Sequence, residues 1–171
     1  MKWVVSGLLA ASTVAFAASA AVPQAVPEQT GPLEARLLTA HNLVRAKVGV
    51  SRLTWSPRLA REAQVWANTL AGSGRFEHSD SDEGENLWMG TARRFSAEEM
   101  VGGFVDEARY FKAGQFPEVS QTGSWHDVGH YTQLIWPETR EVGCAVSRGR
   151  TDEVLVCRYF PAGNVMGQRI G

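Results

Sequence analysis

The stretch that most constrains this chain runs from Gly129 to Trp136 and reads Gly-His-Tyr-Thr-Gln-Leu-Ile-Trp. It sets the ionisable imidazole of His130 beside a phenol, a hydroxyl and an amide, and three large apolar residues follow directly. The pattern fixes a polar group at the edge of a hydrophobic core, and functional sites are best built on such rigid elements. Taken alone, His130 is more typical of a half-buried, hydrogen-bonded histidine. Its role therefore depends on the other polar residues of the chain.

Length and composition restrict the class of protein. The 171 residues are enough for one domain with its own core. An apolar fraction of 44% and a charged fraction of 20% are ordinary for a soluble globular protein. The net charge of -1 provides no field that would attract nucleic acid or an anionic membrane. The sequence also contains no P-loop and no dinucleotide-binding fingerprint, so no nucleic-acid partner and no organic cofactor are predicted.

Residues 1–20 have the pattern of a secretory signal peptide. Lys2 is followed by an apolar, alanine-rich run, and Ala18-Ser19-Ala20 is a small-x-small cleavage site. The run is shorter than a bilayer span needs, which favours cleavage over the alternative of an uncleaved anchor. Residues 21–32 contain three prolines and are predicted to be a linker to a domain at 33–171. We therefore expect a secreted protein, either extracellular or periplasmic.

Two helices are predicted in the first half of the domain. The first runs from Leu33 to a stop at Gly49, and it places His41 and Arg45 on one face because they are four residues apart. The second spans 57–72, and its apolar residues recur at helical spacing, so that this stripe is predicted to be core. The stripe consists of Leu59, Ala63, Trp66 and Leu70.

Residues 72–94 are polar and glycine-rich without a clear period, and they are predicted to form a loop. A third helix begins with a capping box formed by Ser96 and Glu99. Glu107 lies on or beside the buried face of this helix. A carboxylate in that position needs hydrogen-bond partners, because its pKa otherwise rises.

The C-terminal part is predicted to be a β-hairpin of two strands, Glu141–Ser147 and Val154–Phe160. If Cys144 lies opposite Cys157, then Gly149–Asp152 forms a four-residue loop, which is a common hairpin length. The same register brings the two cysteine Cα atoms close enough for a disulfide. Disulfides are typical of exported proteins. We therefore predict the bond Cys144–Cys157.

Five short motifs occur in an order that resembles the CAP superfamily. This superfamily comprises cysteine-rich secretory proteins, insect venom antigen 5 and plant pathogenesis-related proteins of the first class, which share the SCP domain. The resemblance covers about residues 33–170. The motifs are His41-Asn42-Leu43-Val44-Arg45, Gly84-Glu85-Asn86-Leu87, Gly129 to Trp136, Val142-Gly143-Cys144, and Cys157 to Asn164.

The resemblance implies an α+β fold, a single-domain α-β-α sandwich with a central antiparallel sheet between helical layers. It also implies a cleft lined by two histidines and two acidic residues. Matched motif by motif, this cleft tetrad consists of His78, Glu85, Glu107 and His130. These four residues come from separate segments, so their spacing in the sequence does not define a geometry.

Two imidazoles and two carboxylates suit a divalent metal ion, and Zn²⁺ is the natural choice for mixed nitrogen and oxygen ligands. The possible metal ligands are thus His78 and His130, with Glu85 and Glu107. A second possibility is chelation by His126 and His130, four residues apart, if their segment is helical; the alternative is that His126 is solvent-exposed or caps a helix. A third is that the tetrad only ties loops together by hydrogen bonds.

Two functions remain open at the level of sequence. The first is a binding module, monomeric, for a lipid or sterol or for a cell-envelope or extracellular protein partner. The alternative is a metal-dependent extracellular hydrolase, protease- or esterase-like, in which metal-bound water attacks a carbonyl. Ser79 and Ser124 are candidate nucleophiles, although no Gly-x-Ser-x-Gly elbow surrounds them. An apolar groove and the core are the two options for the aromatic residues Trp88, Phe95, Phe111 and Phe116.

Overall fold

The computed structural model describes residues 32–171. The predicted signal peptide and residues 21–31 of the predicted linker lie outside this part. Within it, no helix is long and apolar enough to span a bilayer. Short 3-10 helices occupy Asp106–Tyr110 and Trp125–Asp127. The main elements are α1 (Leu33–Lys47), β1 (Thr54–Trp55), α2 (Pro57–Ser73), β2 (Gly84–Thr91), α3 (Ala97–Val105), β3 (Gly114–Gln115), α4 (Gly129–Leu134), β4 (Glu141–Arg148), β5 (Asp152–Phe160) and β6 (Arg169–Ile170).

A four-stranded sheet in the order β1-β4-β5-β2 forms the centre of the domain. The pairs β4-β5 and β5-β2 are antiparallel, whereas the two-residue strand β1 runs parallel to β4. Helix α2 packs on one face, and α1, α3 and α4 cover the other. The expected α-β-α sandwich is therefore confirmed. Strands β3 and β6 form a separate two-stranded sheet.

Strand β5 is buried on both faces because helices cover both sides of the sheet. Val154 and Val156 point toward α2 and join its apolar stripe in one core cluster. Leu155, Cys157 and Tyr159 point the other way, into the larger cluster that includes α1 and α3. Successive side chains of a strand alternate between faces, so one strand supplies both cores.

The β4-β5 hairpin has the predicted register. Cys144 lies opposite Cys157, and Arg148 lies opposite Glu153. The disulfide Cys144–Cys157 is formed, as predicted. Its sulfur atoms lie on the face of the sheet that α1 covers.

The prediction of a loop over 72–94 was wrong for its second half, where β2 pairs with β5 along its whole length. Gly84, Asn86 and Gly90 are poor strand formers, so the sequence lacked a local strand signal. A Cβ atom at Gly84 would lie 2.1 Å from Oε1 of Gln133, so a side chain there would displace this buried amide, which accepts a hydrogen bond from the N–H of Gly163. Tertiary contacts thus outweigh propensity in this strand.

Two helix ends also differ from the predictions. Helix α2 continues to Ser73 and is terminated by Gly74, which has a left-handed φ of 69°. Helix α3 ends at Val105, and Glu107 lies in the 3-10 helix that follows. The predicted capping box of Ser96 and Glu99 is present at the start of α3.

A buried polar chain links α1 to α4 through strands β5 and β2. Nδ1 of His41 donates to the carbonyl of Leu37 at 2.8 Å, which leaves Nε2 to accept from the hydroxyl of Tyr159 at 2.8 Å. Asn86 donates to the Tyr159 hydroxyl at 3.2 Å and to the carbonyl of His130 at 2.9 Å. Burial lowers the pKa of His41 to about 4, so its ring stays neutral.

Gly143 is predicted to be intolerant of any side chain. A Cβ atom at this position would lie 2.2 Å from the backbone nitrogen of Ala60 and 2.6 Å from the carbonyl of Ser56. Gly143→Ala would push α2 away from the sheet, so we expect the free energy of unfolding to fall by about 1–3 kcal/mol. Gly102→Ala is the matched control, because nothing lies within 4 Å of its Cβ position; it should stabilise α3 by up to about 1 kcal/mol. Urea unfolding of both variants measures the difference, and equal effects would contradict this account of Gly143.

The neutral ring of His41 predicts a loss of stability in mild acid. Between pH 6.5 and 4 the unfolded chain protonates His41 and the folded chain does not, so the free energy of unfolding falls as the pH falls. From pH 7 to pH 5 this amounts to about 2 kcal/mol. The pKa of His78 is raised, mainly by its hydrogen bond to Glu85, so its contribution has the opposite sign over this range.

The comparison of wild type with His41→Gln isolates the first effect, because the contribution of His78 is common to both proteins. Urea unfolding at pH 7 and pH 5 should show a smaller loss of stability in the variant. An identical loss in the two proteins would exclude His41 as its source.

Candidate functional site: a cleft with two histidine–carboxylate pairs

A cleft of about 350 Å³ lies at the N-terminal end of β2, one of the two edge strands of the central sheet. Three members of the predicted tetrad, His78, Glu85 and His130, are part of its wall. The fourth, Glu107, is not, but it contacts His130 from behind. The other residues that line the cleft are Ser79, Glu83, Asn86, Trp125, His126, Gly129 and Asn164.

The first pair joins His78, in the segment between α2 and β2, to Glu85 on β2. Nδ1 of His78 lies 2.8 Å from Oε1 of Glu85. The backbone and hydroxyl of Ser79 donate to the same carboxylate at 3.0 and 2.7 Å. The Glu85 side chain is only 6% exposed, whereas that of His78 is 63% exposed. The carboxylate is therefore a buried anchor, and the imidazole extends from it into the cleft.

The charge on Glu85 is stabilised by its surroundings. Burial alone would raise its pKa, but the hydrogen bonds from His78 and Ser79 together outweigh burial and lower the pKa. A guanidinium nitrogen of Arg158, the residue opposite Glu85 on β5, lies 3.6 Å from the carboxylate. The same hydrogen bond to Glu85 raises the pKa of His78. Each partner thus favours the charged form of the other.

The second pair joins His130, on α4, to Glu107. Nδ1 of His130 lies 2.6 Å from Oε1 of Glu107. The other carboxylate oxygen accepts hydrogen bonds from the backbone N–H groups of His130 and Tyr131, at 2.9 and 3.1 Å. The ring of Phe104 stacks on the imidazole with centroids 5.3 Å apart. Both the backbone and the ring of His130 are therefore fixed, and Glu107 has the partners that the sequence required.

Both pairs leave Nε2 as the available ring nitrogen. Within residues 32–171, no hydrogen bond engages Nε2 of His78 or of His130. A carboxylate that holds Nδ1 of a histidine while Nε2 faces a cavity is the usual support of a metal-binding histidine. The tetrad is not arranged as a closed metal site. No three of its residues place their ligand atoms within 4.8 Å of one another.

A tighter group of possible ligands consists of His41, Cys144 and Cys157. It is not a metal site, because the two sulfur atoms form a disulfide and both ring nitrogens of His41 are hydrogen-bonded. This buried cluster therefore has no ligand atom to offer a cation.

The two serines considered as nucleophiles have no histidine as a base. The hydroxyl of Ser79 donates to Glu85 and accepts from Arg158 at 2.8 Å. Ser124 precedes the 3-10 helix at Trp125–Asp127 and does not line the cleft. A serine–histidine–carboxylate triad is therefore not formed by either residue.

The four aromatic residues considered for an apolar groove do not line the cleft. Phe116 is fully buried in the core, and Trp88 and Phe111 pack against the core. Phe95 is 42% exposed and stacks edge-on against Trp88. Their main role is packing, which was one of the two options from the sequence.

Two further residues that support the site, Arg158 and Asn164, were not predicted as site residues from the sequence. Arg158 bonds to Glu83 and Ser79 and approaches Glu85, but this set appears only once β2 and β5 are paired. Asn164 bonds to the hydroxyl of Thr132 at 2.7 Å and to the carbonyl of Gly129 at 2.9 Å. Both Arg158 and Asn164 belong to the last of the five motifs, so the motif itself was the only available indication.

Comparisons with known proteins agree with this architecture. A sequence model described as "CAP: Cysteine-rich secretory protein family" matches residues 38–159. Pathogenesis-related protein 1B of Nicotiana tabacum is 40% identical over 133 residues, which cover 77% of this chain and 76% of that protein. Secreted protein RBT4 of Candida albicans is 37% identical over 135 residues, 77% of this chain but only 36% of that protein.

A solved structure described as "Crystal structure of NaASP2 with Zn2+" superposes with a TM-score of 0.66 at 25% identity, covering 79% of this chain and 82% of that one. Sequence and fold thus agree over most of residues 32–171. The chain therefore belongs to the CAP family, the cysteine-rich secretory protein family.

Proposed function

We propose that this protein is a secreted binding module whose cleft holds a divalent transition-metal ion, with Zn²⁺ as the best match. One observation carries the proposal: two imidazoles in one cleft each have Nδ1 fixed by a carboxylate and Nε2 left available. A structural relative described with Zn²⁺ supports the same ion. His78 and His130 would hold the ion, and Glu85 and Glu107 would orient them.

The kind of ligand argues for this group of metals. Imidazole nitrogen suits Zn²⁺, Co²⁺, Ni²⁺ and Cu²⁺, whereas Mg²⁺ and Ca²⁺ require oxygen ligands. The carboxylates of Glu85 and Glu107 are already committed to hydrogen bonds with Ser79, His130 and Tyr131. Nitrogen is therefore the donor type that the pairs have to offer.

Secretion agrees with three observations. Residues 1–20 have the signal-peptide pattern, the two cysteines form a disulfide, and a relative is named as a secreted protein. Outside the cytoplasm, the cleft would meet extracellular or periplasmic ligands. A cell-envelope or extracellular protein partner is favoured over a lipid or sterol, because the aromatic residues considered for a lipid groove do not line the cleft.

A metal-dependent extracellular hydrolase is the second candidate. The favouring observation is that the two Nε2 atoms would occupy only part of a metal coordination sphere, so that water and a carbonyl group could take the rest. A metal ion at such a site lowers the pKa of bound water toward neutrality. The protein's own contribution is to orient the two imidazoles through Glu85 and Glu107.

Zinc binding is the first prediction from this proposal. Calorimetric titration of the mature chain with Zn²⁺ should show saturable binding that the His78→Ala/His130→Ala double variant loses, because both Nε2 donors are then absent. Glu77→Gln is the matched control, since Glu77 adjoins His78 but pairs with Arg75 at the surface. A folded wild type that binds no zinc would leave the tetrad as a structural tie between loops.

Replacement of Glu85 separates the two candidate functions. Glu85→Gln removes the charge that orients His78, so we expect zinc affinity to fall on the order of 10- to 100-fold. In a screen of ester and peptide substrates, multiple-turnover hydrolysis that disappears in Glu85→Gln would establish the hydrolase. Stoichiometric capture of a lipid or protein partner that survives in Glu85→Gln, without turnover, would establish the binding module.

A further inference from the structure

We propose that His126 is a third ligand of the metal ion in the cleft, so that the site is a three-histidine centre formed by His78, His126 and His130. This inference rests on the proposed function, because it concerns the same ion. It assigns a ligand outside the two histidine–carboxylate pairs, and it names the coordination class of the site.

The carboxylates that line the cleft are bonded within the protein. Glu83 bonds to Arg58 at 2.9 Å and to Arg158 at 3.1 Å. Glu85 is bonded to His78 and Ser79. Every carboxylate in the cleft wall is therefore already paired within the protein.

Both side-chain amides of the wall also make hydrogen bonds within the protein. Asn86 donates to the carbonyl of His130 and to the hydroxyl of Tyr159. Asn164 is bonded through both its oxygen and its nitrogen. A sugar or peptide ligand would have to compete with these internal bonds, whereas a metal ion that takes nitrogen donors would not.

Three histidines also line the cleft, and His126 contributes two ring nitrogens. Within residues 32–171, no hydrogen bond or ion pair engages either ring nitrogen of His126. Nε2 of His78 and Nε2 of His130 are available in the same cavity. Three histidines with unused donors thus line one space of about 350 Å³.

His126 is placed by its surroundings and does not merely project from a loop. Its ring stacks on Trp125 with centroids 4.0 Å apart, and Trp125 packs against the buried ring of Phe116 at 5.2 Å. The 3-10 helix that carries both residues is tied by a hydrogen bond of 2.6 Å from Thr122 to Asp127. The backbone beneath His126 is therefore fixed while its exposed side chain retains rotamer freedom.

Closing the three donors around an ion requires side-chain movement. Without an ion, no three donors among His78, His126 and His130 lie within 4.8 Å of one another. A change of one χ1 rotamer displaces an imidazole nitrogen by several ångströms. The side chain of His126 is exposed and can make this change, whereas His78 is held by Glu85 and His130 by Glu107 and Phe104.

The third ligand decides what kind of centre this is. Three protein nitrogens and one open position form the arrangement typical of catalytic zinc, whereas structural zinc is closed by four protein ligands. Two histidines alone would make a weaker and less selective site. The assignment of His126 therefore bears directly on whether the cleft can bind and polarise a further molecule.

Ring-nitrogen NMR tests the proposal without any assay of activity. The imidazoles of the mature chain, labelled with ¹⁵N, are observed through their two-bond ¹H–¹⁵N couplings during titration with Zn²⁺. We expect one nitrogen in each of His78, His126 and His130 to shift at the same zinc ratio. His41 serves as an internal control, because both of its nitrogens are engaged in the core.

Calorimetry of His126→Gln gives the second measurement. Even partners outside the coordination sphere change affinity 10- to 100-fold, so the loss of a direct ligand should cost at least about 100-fold. Asp127→Asn is the matched control; it alters the next residue of the same 3-10 helix and can still accept the hydrogen bond from Thr122. It should bind zinc like the wild type.

The possible results separate this inference from the proposed function. If the wild type binds zinc but the His126 nitrogens do not shift and His126→Gln retains full affinity, the three-histidine centre is wrong and the two-histidine site stands. If the wild type binds no zinc, both proposals fail. Shifts confined to His126 and His130 would also contradict the three-histidine centre.

Discussion

The position of His130 depends on two charged side chains that hold helix α4 at its two ends. Glu107 accepts hydrogen bonds from the N–H groups of His130 and Tyr131 at the first turn. Arg45, fully buried, donates to the carbonyls of Leu134 and Trp136 at the other end, at 2.8 and 2.9 Å. Helix α4 has only six residues, too few for independent stability in water. Burial lowers the pKa of Arg45 to about 10, which still leaves the guanidinium charged at neutral pH. The negative charge of Glu107 therefore lies at the positive N-terminal end of the α4 dipole, and the positive charge of Arg45 lies at its negative C-terminal end.

The carboxylates of Glu85 and Glu107 each hold both a backbone segment and a histidine ring. Glu107 fixes the backbone of α4 with one oxygen and the ring of His130 with the other. Glu85 fixes the backbone and hydroxyl of Ser79 as well as the ring of His78. A structural tie and a metal site are therefore compatible readings of the tetrad. The carboxylates tie the segments together, and the outward nitrogens of the imidazoles remain for a ligand.

The features that the sequence predicted correctly depend on residues close to one another in the chain. The stripe of α2 follows from helical spacing, and the register Cys144 to Cys157 follows from the length of a hairpin loop. Strand β2 was missed because Gly84 and Gly90 have no strand propensity, and its pairing partner lies some seventy residues later. The pairing of Glu85 with Arg158 could not be seen without that strand. The tetrad came from the family resemblance, since four residues from four segments have no spacing that implies proximity.

The two sides of the cleft differ in how much order they already possess. His130 stands on a helix held by Arg45 and Glu107, and its side chain is 34% exposed. His78 stands in the irregular segment before β2 and is 63% exposed. A ligand that joins the two sides therefore has to order His78, at an entropic cost of about 0.5–1.5 kcal/mol for one side chain, while His130 adds little cost. The greater exposure of His78 therefore makes its side of the cleft the one where ordering costs more on ligand binding.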